Sequence, residues 1–88
     1  MAGMDIIEYA KTVADNVAEA MESAGLSVLA TSEKTGIART TLNRRLENPG
    51  ISPFTVLELA QISSATGVSL DVLTKASERS ALAGKEVE

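Results

Sequence analysis

The chain has 88 residues, 44% of them apolar but only 2% aromatic, so it has room for one domain with a core of Leu, Ile, Val, Ala and Met. Cysteine and histidine are absent, which excludes disulfides, thiol nucleophiles, Cys/His zinc sites and the usual neutral-pH proton shuttle. The net charge is −4, so any contact with nucleic acid must come from a local basic patch rather than from the whole surface.

Residues 5–24 carry one long helical pattern. Ile6, Ala10, Val13, Val17, Ala20 and Ala24 recur every three or four positions, with Ile7, Ala14 and Met21 widening the stripe. Asp5 is a candidate N-cap and Glu8 sits three residues on, the spacing of a capping box; Gly25 supplies a left-handed stop. Such a helix would run roughly 30 Å, longer than one side of a small domain needs. The excess is either a solvated extension or a contact with a second subunit.

Ser27 is placed to cap a short helix over about 28–34, ended by Gly36. Ile37 then plugs inward, and a third helix runs from about Ala38 to Glu47 with Leu42 and Leu46 on its inner face. Asn48-Pro49-Gly50 stops it. Thr55-Val56-Leu57-Glu58 forms a capping box for a fourth helix reaching Thr66-Gly67, and Phe54 with Leu59 has the spacing of a hydrophobic staple. Ser69 caps a short fifth helix in which Leu70, Val72 and Leu73 supply apolar surface. The expected division is a domain over 1–76 and a flexible tail over 77–88. No strand pattern and no repeat is read from the sequence.

Residues 27–52 are the only net-positive third: Lys34, Arg39, Arg44 and Arg45 against Glu33 and Glu47. Taking Leu42 and Leu46 as inward, the 100° step puts Thr40, Asn43, Arg44 and Glu47 on the outer face of the third helix, with Arg39 on its flank in the first turn. Arginine suits guanine O6 and N7, asparagine suits adenine N6 and N7, and threonine offers its hydroxyl or its methyl. Arg45 and Thr41 are better placed for phosphates, as are the first N–H groups of helices two and three. A solvated face that happens to hold three arginines is the competing explanation. Against it stands the conjunction of turn glycine, apolar plug, Leu42/Leu46 spacing and a concentrated basic face in an acidic chain.

Other chemistry finds no support. The carboxylates of the first helix have the periodicity of a solvated face, and the serines lack a histidine partner. Neither G-x-G-x-x-G nor G-x-x-x-x-G-K-S/T occurs. The expectation is therefore no enzyme, no catalytic residues, no metal, no cofactor and no small-molecule ligand. No apolar run approaches a membrane span and no signal pattern opens the chain, so a soluble, cytoplasmic protein is expected.

The segments Gly36-Ile37-Ala38-Arg39-Thr40-Thr41-Leu42-Asn43-Arg44-Arg45-Leu46, Ser52-Pro53-Phe54-Thr55-Val56-Leu57-Glu58-Leu59-Ala60 and Gly67-Val68-Ser69-Leu70-Asp71-Val72-Leu73 together resemble the Cro/C1-type helix-turn-helix family over about 27–74. The resemblance implies an all-α, five-helix, lambda-repressor-like domain that binds double-stranded operator DNA, commonly as a homodimer on a two-fold-related site. Aligned on Gly36, it places base-reading positions on Arg39, Thr40, Asn43 and Arg44, and phosphate contacts near Ser27 and Val28. The chain departs from the family at Thr31-Ser32, where Leu-Ala is usual, at Val28, where a glutamine is common, and at Ala38, where Ser or Thr is frequent. Glu47 faces outward, where it would repel phosphate. The function implied is a transcriptional repressor, such as a phage Cro-like or immunity-repressor protein. The alternative is a protein-interaction module on the same fold, antitoxin-like or partner-binding, motivated by the acidic balance and the long apolar-striped first helix.

Overall fold

In the computed structural model, residues 5–76 are described, and they form five α-helices in the order α1 Ile6–Ser23, α2 Val28–Thr35, α3 Arg39–Glu47, α4 Val56–Thr66 and α5 Leu70–Leu73. No strand occurs among the described residues. The tail expected over 77–88 lies outside them.

α1 ends as its glycine requires. Gly25 has φ +71°, the Gly25 N–H donates to Glu22 O at 3.0 Å and the Leu26 N–H to Met21 O at 2.8 Å. This pair of reversed bonds satisfies carbonyls that the helix itself leaves open. Its start differs from the expected capping box. Asp5 Oδ1 accepts the Ile7 N–H at 3.0 Å, and no bond from Glu8 closes the reciprocal half. One side-chain acceptor still relieves an orphan donor of the first turn.

The core gathers Val13, Val17, Ala20 and Met21 of α1, Ile37 and Leu42 around the turn and α3, Leu59 and Ile62 of α4, and Leu73 of α5. Val28, Leu46, Phe54 and Val68 pack against it half-buried. Leu42, Ile62, Leu73 and Val17 are fully enclosed, each contributing about 1.5–3 kcal/mol of transfer free energy. α1 packs on α3, α4 and α5, while α2 packs on α3 and α4. α3 is thus supported from two sides and keeps one face free.

Two polar side chains of α1 tie down the end of α5. Asn16 Nδ2 donates to Leu73 O at 3.0 Å and to Lys75 O at 2.8 Å, and the Tyr9 hydroxyl donates to Thr74 O. A four-residue helix has too few internal bonds to hold itself, so these side chains replace the partners its last carbonyls lack.

The apolar stripe of α1 reaches further than the core does. Ile6 and Ile7, expected inward, are 84% and 53% exposed, and Ala24 is exposed at the other end. The periodicity continues for a turn beyond the last residue that the other helices cover. Two polar residues, Thr12 and Thr31, are also buried. Thr31 resolves its hydroxyl locally by donating to Ser27 O at 2.8 Å, one turn back.

Candidate nucleic-acid interface

The corner that aims α3 is built almost entirely from α2 and the turn. Gly36 adopts φ +82°, a conformation costly for residues with a Cβ, and its N–H donates to Ser32 O at 2.8 Å. Thr35 Oγ1 donates to Thr31 O at 2.7 Å and accepts the Ile37 N–H at 3.1 Å. Ser32 Oγ donates to Ile37 O at 2.6 Å, closing the corner from the other side. Ile37 is then pressed into the core, 8% exposed. The unusual Thr31-Ser32 pair therefore has a use: Thr31 fills the core with its methyl-bearing side chain, and Ser32 bonds the backbone of the turn.

The same device occurs again at the end of α4. Thr66 Oγ1 donates to Ile62 O at 2.8 Å and accepts the Val68 N–H at 3.2 Å across Gly67, whose φ is +79°. Thr35-Gly36-Ile37-Ala38 and Thr66-Gly67-Val68-Ser69 are one short motif used twice, a repeat that the reading of the sequence missed. The two copies differ at their fourth residue. Ser69 caps α5 by accepting the Val72 N–H at 3.3 Å, whereas Ala38 gives α3 no side-chain cap. The first-turn N–H groups of α3 are left for solvent or an anion.

α3 starts at Arg39, one residue later than expected, with Ala38 as its N-cap. Leu42 is fully buried and Leu46 is half-buried, which turns the opposite face outward. Arg39, Thr40, Asn43, Arg44 and Glu47 are all exposed. At helical spacing they form two adjacent rows, Arg39–Asn43–Glu47 and Thr40–Arg44. Among the described residues neither Arg39 nor Arg44 is held in an ion pair, so both guanidinium groups are available. Glu47 stands eight residues from Arg39, about 12 Å along the axis, at the far end from the first turn.

The expected phosphate contacts are less uniform. The Ser27 side chain is exposed, and its oxygen already accepts the Ala30 N–H at 3.1 Å as the cap of α2. Val28 packs half-buried on the core, so only its backbone N–H can serve. Thr41 is half-buried on the flank of α3. Arg45 turns Nε toward Glu58 Oε1 of α4, 2.6 Å away, with its side chain 18% exposed. That contact is a close charge pair without good hydrogen-bond alignment, and it competes with the phosphate role expected of Arg45. Reading α3 alone missed this pairing, because Glu58 belongs to another helix.

This geometry is a helix-turn-helix: a glycine corner, an apolar plug, and a second helix with one buried and one open face. The family described as helix-turn-helix matches residues 17–73, well over half of the chain. The chain belongs to the Cro/C1-type helix-turn-helix family. It is a DNA-binding helix-turn-helix regulator on an all-α, five-helix fold. No curated protein and no solved structure matches it. The family match opens at Val17, inside α1, so about the first three turns of that helix stand outside the helix-turn-helix pattern. No helix among the described residues is long and apolar enough to cross a membrane.

Proposed function

We propose that this protein is a sequence-specific transcriptional repressor acting in the cytoplasm, which places α3 in the major groove of an operator and blocks transcription by occupying it. One observation carries the reading. Arg39, Thr40, Asn43 and Arg44 are exposed on two adjacent rows of α3, and neither arginine is engaged in an ion pair among the described residues. Arginine and asparagine in such rows match the paired donor and acceptor edges of guanine and adenine, and Thr40 can contact a thymine methyl. The bare start of α3 and the backbone N–H groups of Ser27 and Val28 would meet phosphates, with Thr41 beside them. Arg45 supports this arrangement by anchoring α3 to α4.

Selection of bound fragments from random DNA, read at several salt concentrations, tests the proposal. The expected result is an enriched sequence bound with affinity that falls steeply as salt rises, because each phosphate contact releases a counterion. Retention of no DNA at low salt would leave the fold with a protein-binding role instead.

A further inference from the structure

We propose that Glu47, at the end of α3, is a specificity-determining residue that selects a cytosine in the major groove. The assignment rests on the DNA reading above and adds a different kind of contact to it. Arg39 and Arg44 can only donate, Thr40 and Asn43 can do both, and Glu47, as a carboxylate, can only accept.

Nothing in the fold calls for a carboxylate at this position. Glu47 is the last residue of α3, where the helix dipole is negative and favours a cation over an acid. Its side chain is exposed, so it fills no space in the core. Among the described residues no ion pair engages it, although Arg44 stands three residues before it on the same surface. Glu58 shows the contrast, being tied both to Arg45 and to the Thr55 N–H. Close to DNA the charge of Glu47 is a further cost, because phosphates repel it. A side chain that goes against its helix, its neighbours in the groove and its own desolvation is expected where function demands it.

Its place on α3 decides which part of the DNA it meets. Arg39, Asn43 and Glu47 follow one another at intervals of four residues and share one exposed row over about 12 Å. Base pairs are about 3.4 Å apart along a strand, so the row covers about three to four of them. Arg39 stands over one end of that stretch, Asn43 over its middle and Glu47 over the other end. In the major groove a lone acceptor finds donors on two bases, at N4 of cytosine and N6 of adenine. Adenine carries the acceptor N7 beside its amine, which repels a carboxylate, whereas cytosine offers its amine without one. Guanine and thymine present acceptors there and no donor. Cytosine is therefore the base that Glu47 selects. The same charge works against the other bases, so it lowers binding to wrong sequences as well as adding a contact to the right one.

Selection from random DNA with the wild type, Glu47→Gln and Glu47→Ala tests the assignment. All three should fold alike, since the change removes an exposed acid from the last turn of α3, and thermal melts check this. The wild type should enrich a cytosine at one end of the selected word. Glu47→Gln should move that position toward adenine, whose N6 and N7 suit an amide. Glu47→Ala should accept any base there, with the rest of the word unchanged. On fixed duplexes, exchanging that cytosine for thymine should weaken the wild type about tenfold or more and Glu47→Ala about twofold or less. Variants that enrich the wild-type word unchanged overturn the assignment. So does a Glu47→Ala protein that binds every sequence more tightly by the same factor, since Glu47 then acts on phosphates alone. A wild type that enriches no sequence removes the DNA reading and this assignment together, so the wild type alone tells the two failures apart.

Discussion

Nε of Arg45 on α3 lies 2.6 Å from Oε1 of Glu58 on α4, and that same oxygen accepts the Thr55 N–H at 3.0 Å. One carboxylate therefore closes the capping box of α4 and clamps α3 against it. Thr55 completes the box by accepting the Glu58 N–H at 3.1 Å.

The ionisation of Glu58 records this double duty. Burial pushes its carboxyl up, but the Thr55 backbone N–H and the neighbouring Arg45 pull it down further, and the group ends below the ordinary carboxylate value. A carboxylate lowered on folding stabilises the fold fully above its unfolded value, and that contribution is lost as pH falls through the lower folded one. Glu58→Gln keeps an acceptor for the Thr55 N–H and removes only the charge, so it should cost about 0.5–1 kcal/mol at neutral pH, the order of one partly exposed ion pair. Urea titrations from neutral to acid pH should show wild type and variant converging as Glu58 protonates. A constant gap at every pH would contradict the assignment.

Arg44→Ala and Asn43→Ala should each lower binding to a selected operator by about 1–3 kcal/mol, since each removes a directed contact to a base edge. Both side chains are exposed, so thermal stability should be unchanged. Fluorescence anisotropy on the selected sequence measures the loss, and operator affinity like the wild type's in both variants would reject the contacts.

Gly36→Ala isolates the conformational demand of the corner. Nothing lies within 4 Å of an added Cβ, while φ is +82°, so the expected loss of about 1–2 kcal/mol is backbone strain alone. Gly36→Asn should lose less, because asparagine tolerates the left-handed region better. Chemical denaturation distinguishes the two variants.

Ala38→Ser supplies to α3 the cap that Ser69 supplies to α5. It should raise stability by about 0.5–1 kcal/mol through a bond to a first-turn N–H. A melting curve no higher than wild type would show that the start of α3 cannot accept the cap geometry.

Much of the fold was legible because its signals are local. Ser27, Thr55 and Ser69 cap the helices they precede, Gly36 and Gly67 close the ones they come after, and Leu42 points inward as its spacing requires. What escaped depended on neighbours distant in the chain. The stripe on α1 says that Ile6 and Ile7 share a face with Val13, but not that the covering helices stop short of them. Arg45 looks like a surface cation until Glu58, thirteen residues on, is folded beside it. Thr31 reads as polar because its letter does not show that its hydroxyl can bond Ser27 O and leave the methyl to the core. The outward residues of α3 were the easiest part of the site to place, since one buried leucine fixes the phase of a nine-residue helix.

The bonds that set the direction of α3 run among Thr31, Ser32, Thr35, Gly36 and Ile37, all of which precede Arg39. The side chains that face outward begin with Arg39 and take no part in that closure. Aim and message are thus written in separate stretches of the chain. A lineage carrying this corner could exchange the outward residues one at a time, with the helix still delivered at the same angle.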